Sequence, residues 1–197
     1  MANKLVGKDP ISANVNEVTV DHTGRMYTRC IVEDSSIEAL LDGDHHAVSS
    51  GLKVLTSANA SAMLLFINTG TETLFLDRLI AGSKDSTGGT EDFYTVTLNK
   101  SATAIVGGSG SPTTINTNLG SSKDIANSST IEAGAEGATL TNATSLVSFF
   151  FKTGITSFED LRIALPQGAS IALQVTPPAG NTSLACYVAF NAHPVVI

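Results

Sequence analysis

Residues 161–176 run Leu161-Arg162-Ile163-Ala164-Leu165-Pro166-Gln167-Gly168-Ala169-Ser170-Ile171-Ala172-Leu173-Gln174-Val175-Thr176. Apolar side chains fall at every second position: Leu161, Ile163 and Leu165 before the Pro-Gln-Gly, then Ile171, Leu173 and Val175 after it. A period of two puts each row on one face of a strand, the pattern of a half-buried sheet. Proline presets φ for a turn, so the segment is expected to be two strands joined by a tight hairpin. The same period returns in Leu184, Cys186, Val188 and Phe190, and in Tyr94, Val96 and Leu98. Further strands are expected at Gly51–Thr56, Ala62–Asn68, Thr73–Ala81 and Ser145–Lys152, parted by turn residues such as Asn68-Thr69-Gly70-Thr71. About eight short strands, with turns roughly every 8–12 residues, predict a mainly β protein of β-sandwich or jelly-roll type.

That domain is placed at residues 35–197, and three segments, one before it and two within it, depart from the period of two. Residues 1–34 lack a strong apolar pattern and read as an extended N-terminal arm, with a hairpin about Thr23-Gly24. Fully stretched, some 30 residues span on the order of 100 Å. Ser35 and Glu38 match a capping box, and Ile37, Leu40 and Leu41 share one side, which predicts one short helix over 36–42. Residues 101–142 hold Gly107-Gly108-Ser109-Gly110-Ser111-Pro112 and no aromatic residue. So few large apolar groups cannot offset ordering entropy in a separate domain, so this insertion is expected to be long loops with a few small strands.

Composition narrows the function. The 197 residues carry 11 Lys+Arg against 18 Asp+Glu, a net charge of −7, which disfavours a nucleic-acid binder needing a basic face. Apolar runs such as Ala62–Ile67 fall far short of a membrane span, and no apolar signal-peptide core follows Lys4, Lys8, Asp9 and Pro10. The chain is thus expected to be soluble, with neither nucleic acid nor membrane as partner. Two cysteines, Cys30 and Cys186, are too few for a disulfide framework, and Cys186 belongs to an apolar row, where a buried inert thiol is expected.

Reactive constellations are weak. His45 and His46 beside Asp42 and Asp44 are metal-ligand types, but adjacent residues rarely point the same way, so a polar turn is the reading preferred. His22 beside Asp21 is an acid–base pair without a nucleophile. His193 precedes Pro194 and is expected at the surface or an interface, and all four histidines fall outside the expected strands, which speaks against a cupin-like metal enzyme. Glu159-Asp160 reads as a solvated strand edge rather than a glycosidase pair. In Phe149-Phe150-Phe151, Phe149 and Phe151 face the core with Val147, while Phe150 points outward and needs a cover. Catalytic, metal and cofactor sites are therefore expected to be absent.

The run Val20-Asp21-His22-Thr23-Gly24-Arg25-Met26-Tyr27-Thr28-Arg29, with Gly43–Ala47, Leu165–Ile171, Gln174–Asn181 and Val188–Asn191, resembles the capsid decoration, cement or head-fibre proteins of tailed bacteriophages. The likeness covers the arm and about the last 50 residues best, and residues 101–142 match nothing in it. It implies a non-enzymatic jelly-roll or β-sandwich virion protein, without cofactor, bound to the major capsid protein on the outer capsid surface and assembled in the bacterial cytoplasm. It also implies a homo-oligomer, a trimer above all. The interface candidates are then His22, Arg25, Tyr27 and Arg29 in the arm, and Phe150 in the body. The alternative reading is a tail or baseplate component binding a host-surface glycan through the Gly/Ser/Thr/Asn-rich insertion.

Overall fold

The computed structural model describes residues 4–8, 15–20, 26–28, 42–84, 93–107, 110–154, 156–180 and 183–194. Sixteen strands and one 3-10 turn appear among them: β1 (Lys4–Lys8), β2 (Val15–Val20), β3 (Met26–Thr28), β4 (His46–Ser49), β5 (Lys53–Leu55), β6 (Ser61–Asn68), β7 (Leu74–Ser83) and β8 (Phe93–Lys100). Then come β9 (Ala104–Val106), β10 (Thr113–Asn116), the 3-10 turn Ile125–Asn127, β11 (Ser129–Ala133), β12 (Thr139–Thr141), β13 (Thr144–Lys152), β14 (Thr156–Leu165), β15 (Ser170–Thr176) and β16 (Leu184–Pro194). The eight expected strands in the body all form. The protein is mainly β and the body is a β-sandwich.

One sheet runs β10-β4-β16-β7-β14, with β5 also on β16; the facing sheet runs β11-β6-β15-β8-β13. Every recorded pairing is antiparallel. The apolar rows read from the sequence meet between the sheets. Leu184, Cys186, Val188 and Phe190 of β16 are at most 2% exposed, as are Tyr94, Val96 and Leu98 of β8. Phe66 of β6 meets Phe190 edge to face across the core, ring centres 5.4 Å apart. The expected inertness of Cys186 holds: burial pushes its thiol up to about 12.

The turn at Pro166 differs from its expectation. Ala169 N–H donates to the Pro166 carbonyl at 3.0 Å and Gly168 takes φ +77°, so a tight turn forms. Yet β14 pairs with β7, while β15 pairs with β6 and β8 in the other sheet. The turn is a corner between sheets, not a hairpin. Period-two rows on both sides are equally satisfied by facing each other across a core, so local pattern does not separate the two cases. The corner is pinned by Asn68, whose fully buried amide donates to the Leu165 and Glu72 carbonyls, both at 2.8 Å.

The insertion dresses one side of the sandwich. β10 adds to the edge of β4 and β11 to the edge of β6, and the 3-10 turn links them. β9 pairs with β12, and their Ile105 and Leu140 cover Leu65 and Ala172 on the outer face of the second sheet. Gly134 makes this approach possible, because a Cβ there would lie 2.0 Å from the Ala62 carbonyl oxygen. Glu136 fastens the loop by accepting from the Thr56 and Ser57 backbone N–H groups at 2.5 and 2.7 Å. In the N-terminal stretch, β1, β2 and β3 form their own antiparallel sheet, with Val20 opposite Met26 on either side of residues 21–25. The helix expected over 36–42 lies outside the described residues except for Asp42.

Candidate functional site

His45 and His46 are adjacent on an extended chain, so they face apart. His45 turns inward: its Nδ1 is 2.8 Å from Thr117 Oγ1 and its Nε2 is 3.4 Å from Asp77 Oδ2. Its ring stacks on that of His193, centres 5.7 Å apart, and Phe75 lies 6.1 Å beyond. This corrects two expectations. His193 is 2% exposed rather than superficial, and both His46 and His193 lie in strands, because β4 starts at His46 and β16 continues to Pro194. Pro194 does not stop β16 because it sits at the strand's last position.

Asp77 is half-enclosed in the same cluster. Burial works to raise its carboxyl, but the hydrogen bond and charge of His45 and the charge of His193 outweigh it, and the group sits below the usual range. A histidine held by an aspartate is half of an acid–base relay. His45, Asp77 and His193 line neither the cleft at His46 nor the groove at Leu146. The cluster is a packed polar plug joining β16, β7 and the start of β4.

His46 faces the other way, into a cleft of about 360 Å³ with Asp44, Asn68, Glu72, Lys123 and Asp124. Two of its three acids are engaged: Asp44 takes an ion pair from Lys123 Nζ at 2.6 Å, and Asp124 caps the 3-10 turn through Ala126 N–H at 2.9 Å. Burial lowers the affinity of the His46 ring for a proton, against the opposing pull of Asp44 and Asp124. Among the described residues no group of three or more His, Cys, Asp and Glu could hold a metal ion.

The flank formed by β13 and β14 is different in kind. Phe150 of β13 is 73% exposed, while its neighbours Phe149 and Phe151 stack inward, ring centres 6.2 Å apart. On the same outer face, Phe150 lies opposite Thr95, and Phe93 is its diagonal neighbour, also half exposed. Phe158 of β14 is exposed with Arg78 over its ring at 6.0 Å, and Glu159 and Asp160 are exposed beside it on a sheet edge. A second, apolar groove of about 550 Å³ opens at the start of β13, lined by Leu146, Ile163, Leu165 and Ile171. Of the interface candidates, only Phe150 has its side chain described. Tyr27 is placed in β3 opposite Thr19, and His22, Arg25 and Arg29 lie outside the described residues.

The groove and the histidine plug were not legible in the sequence, because the groove draws on β13, β14 and β15 and the plug on His45, β7, Thr117 and β16, far apart in the chain. Phe150 was legible, because strand alternation alone points it away from Phe149 and Phe151.

No protein-family profile matches the chain, and no curated protein matches it. Among solved structures, it is similar to a chain of infectious bursal disease virus strain Gx, with 12% identity and TM-score 0.32 over 93% of this chain and 40% of that one. A chain of strain Gt gives 11% identity and TM-score 0.25 over 95% and 46%, and one from T=1 particles derived from that virus gives 9% and 0.20 over 77% and 40%. The protein thus spans less than half the length of these chains.

Proposed function

We propose that the protein is a non-enzymatic structural component of a tailed-bacteriophage virion, a decoration or cement protein that seats on the outer capsid surface and stiffens the shell. Its partners in this reading are the major capsid protein and further copies of itself, joined in the host cytoplasm. The observation that carries the reading is the strand order. Taking β4, β6, β7, β8, β13, β14, β15 and β16 as strands one to eight, the sheets run 1-8-3-6 and 2-7-4-5. That is the order of a jelly roll built from two Greek keys, an architecture that recurs in viral shells. Fold alone does not confer function, and the surface supplies the rest. Among the described residues no nucleophile, base and cleft converge, while one flank carries uncovered aromatic side chains. On a repetitive lattice, many weak copies sum through multivalency.

The test is to add the purified full chain to undecorated shells and heat them. The reading expects saturable binding and a higher temperature of shell disruption. Absence of binding, or binding that leaves the disruption temperature where it was, rejects it.

A further inference from the structure

Among the described residues the two sheets end in the edge strands β10, β14, β11 and β13, and the three-residue β5 is also paired on one side alone. An open edge is a row of unpaired N–H and C=O groups, a template for another strand, and proteins blunt edges that must stay single. Three are blunted here. β10 is four residues long. β11 is five residues long and bridged by Gly110 at Ala133. β14 carries Glu159, Asp160 and Arg162 and has a register shift between Asp160 and Ile163. β13 is nine residues long, and Lys152 is its one charged residue. Its register shift lies at Ser145/Val147, which leaves Val147–Lys152 regular.

We propose that β13 is a self-docking strand: its edge pairs antiparallel with β13 of a second copy of this chain across a two-fold axis, joining two five-stranded sheets. The proposal rests on the assembly reading above and names its surface. The charge pattern selects a second copy as the occupant. A chain of net charge −7 repels its copies over most of its surface, and β13 is the long edge where that repulsion is absent. A two-fold axis perpendicular to the sheet pairs residues whose side chains point the same way, so in the register centred on Phe150, which lies wholly within the regular stretch, Lys152 faces the uncharged Ser148. The same operation centred on the charged stretch of β14 sets Glu159 or Asp160 against its own copy.

Area agrees with this choice. Phe93, Leu146, Val147 and Phe150 are 52%, 48%, 41% and 73% exposed. Together they expose on the order of 400 Å², about half of the roughly 800 Å² per partner of a standard interface. The strand backbone, the Thr and Ser side chains of β13 and the apolar groove at Leu146 supply surface for the remainder.

The test uses the full chain, its Phe150→Lys and Ser148→Lys variants, and Phe150→Thr as a substitution that keeps strand propensity. Both positions are exposed, so the variants retain the fold, which far-ultraviolet circular dichroism and Tm check. Sedimentation is expected to give a dimer whose dissociation constant rises by about 100-fold or more in the Lys variants. Hydrogen exchange should quicken by about tenfold in β13 on dissociation and stay unchanged in β15. A wild-type monomer at the highest concentration reached overturns the proposal. So does a trimer, or any oligomer that the Phe150 variants leave intact with unchanged β13 exchange. Shell binding by such a monomer or trimer keeps the function reading while removing this one, and a β13 dimer that ignores shells does the reverse.

Discussion

His46 shows what burial does to a single residue. Its ring is 4% exposed, and burial lowers its pKa below the ordinary 6.5 despite Asp44 and Asp124 nearby. The folded chain therefore resists a proton that the unfolded chain accepts. Stability from this source is complete above about pH 6.5 and is lost as pH falls through the lowered folded value. Thermal unfolding between about pH 7 and 5 should show Tm falling with acid, and His46→Asn should flatten that slope. An unchanged slope in the variant would assign the acid response elsewhere. Asp77 has the same sign in a lower window: its lowered pKa contributes stability that disappears as pH drops through the carboxylate range.

At the scale of elements, the decisive joint is the corner between β14 and β15. Asn68 ends β6, yet its side chain satisfies the carbonyl that ends β14 and the Glu72 carbonyl before β7, while its Oδ1 accepts from Gly70 N–H at 3.0 Å. One amide thus holds two turns, each of which crosses between the sheets. Asn68→Ala should cost about 2–3 kcal/mol in urea denaturation, because it leaves buried carbonyls without donors. A loss within about 0.5 kcal/mol would show that water replaces the amide. Both strand rows flanking the corner were legible in the sequence. The sheet each strand joins was not, since pairing depends on Asn68, nearly a hundred residues before Leu165.

For the whole molecule, the test is whether both sheets share one cooperative core. Cys186 sits at its centre, fully buried among Leu55, Val188 and Phe190 in the same cluster. In a Cys30→Ser background, labelling of Cys186 by a thiol reagent should require global unfolding, so its rate should follow stability measured in denaturant. Phe190→Ala, which removes the ring that meets Phe66, should cost about 3–5 kcal/mol and speed labelling by roughly two orders of magnitude or more. Labelling that ignores the substitution would mean that the sandwich opens locally along β16.

Alternation of apolar and polar residues determined, without any tertiary information, eight strands of the body outside residues 101–142, that Cys186 is buried and that Phe150 points outward. Periodicity is a property of neighbours along the chain, and the hydrophobic effect acts on it directly. Only the tertiary structure decided that Pro166–Gly168 is a corner between sheets, that His45, Asp77 and His193 meet in a packed polar plug, and that, among the described residues, the insertion covers one flank while β13 pairs on one side alone. Each of these depends on which distant strands share an edge. Antiparallel pairing through backbone groups common to every residue leaves little trace of its partner in the side chains.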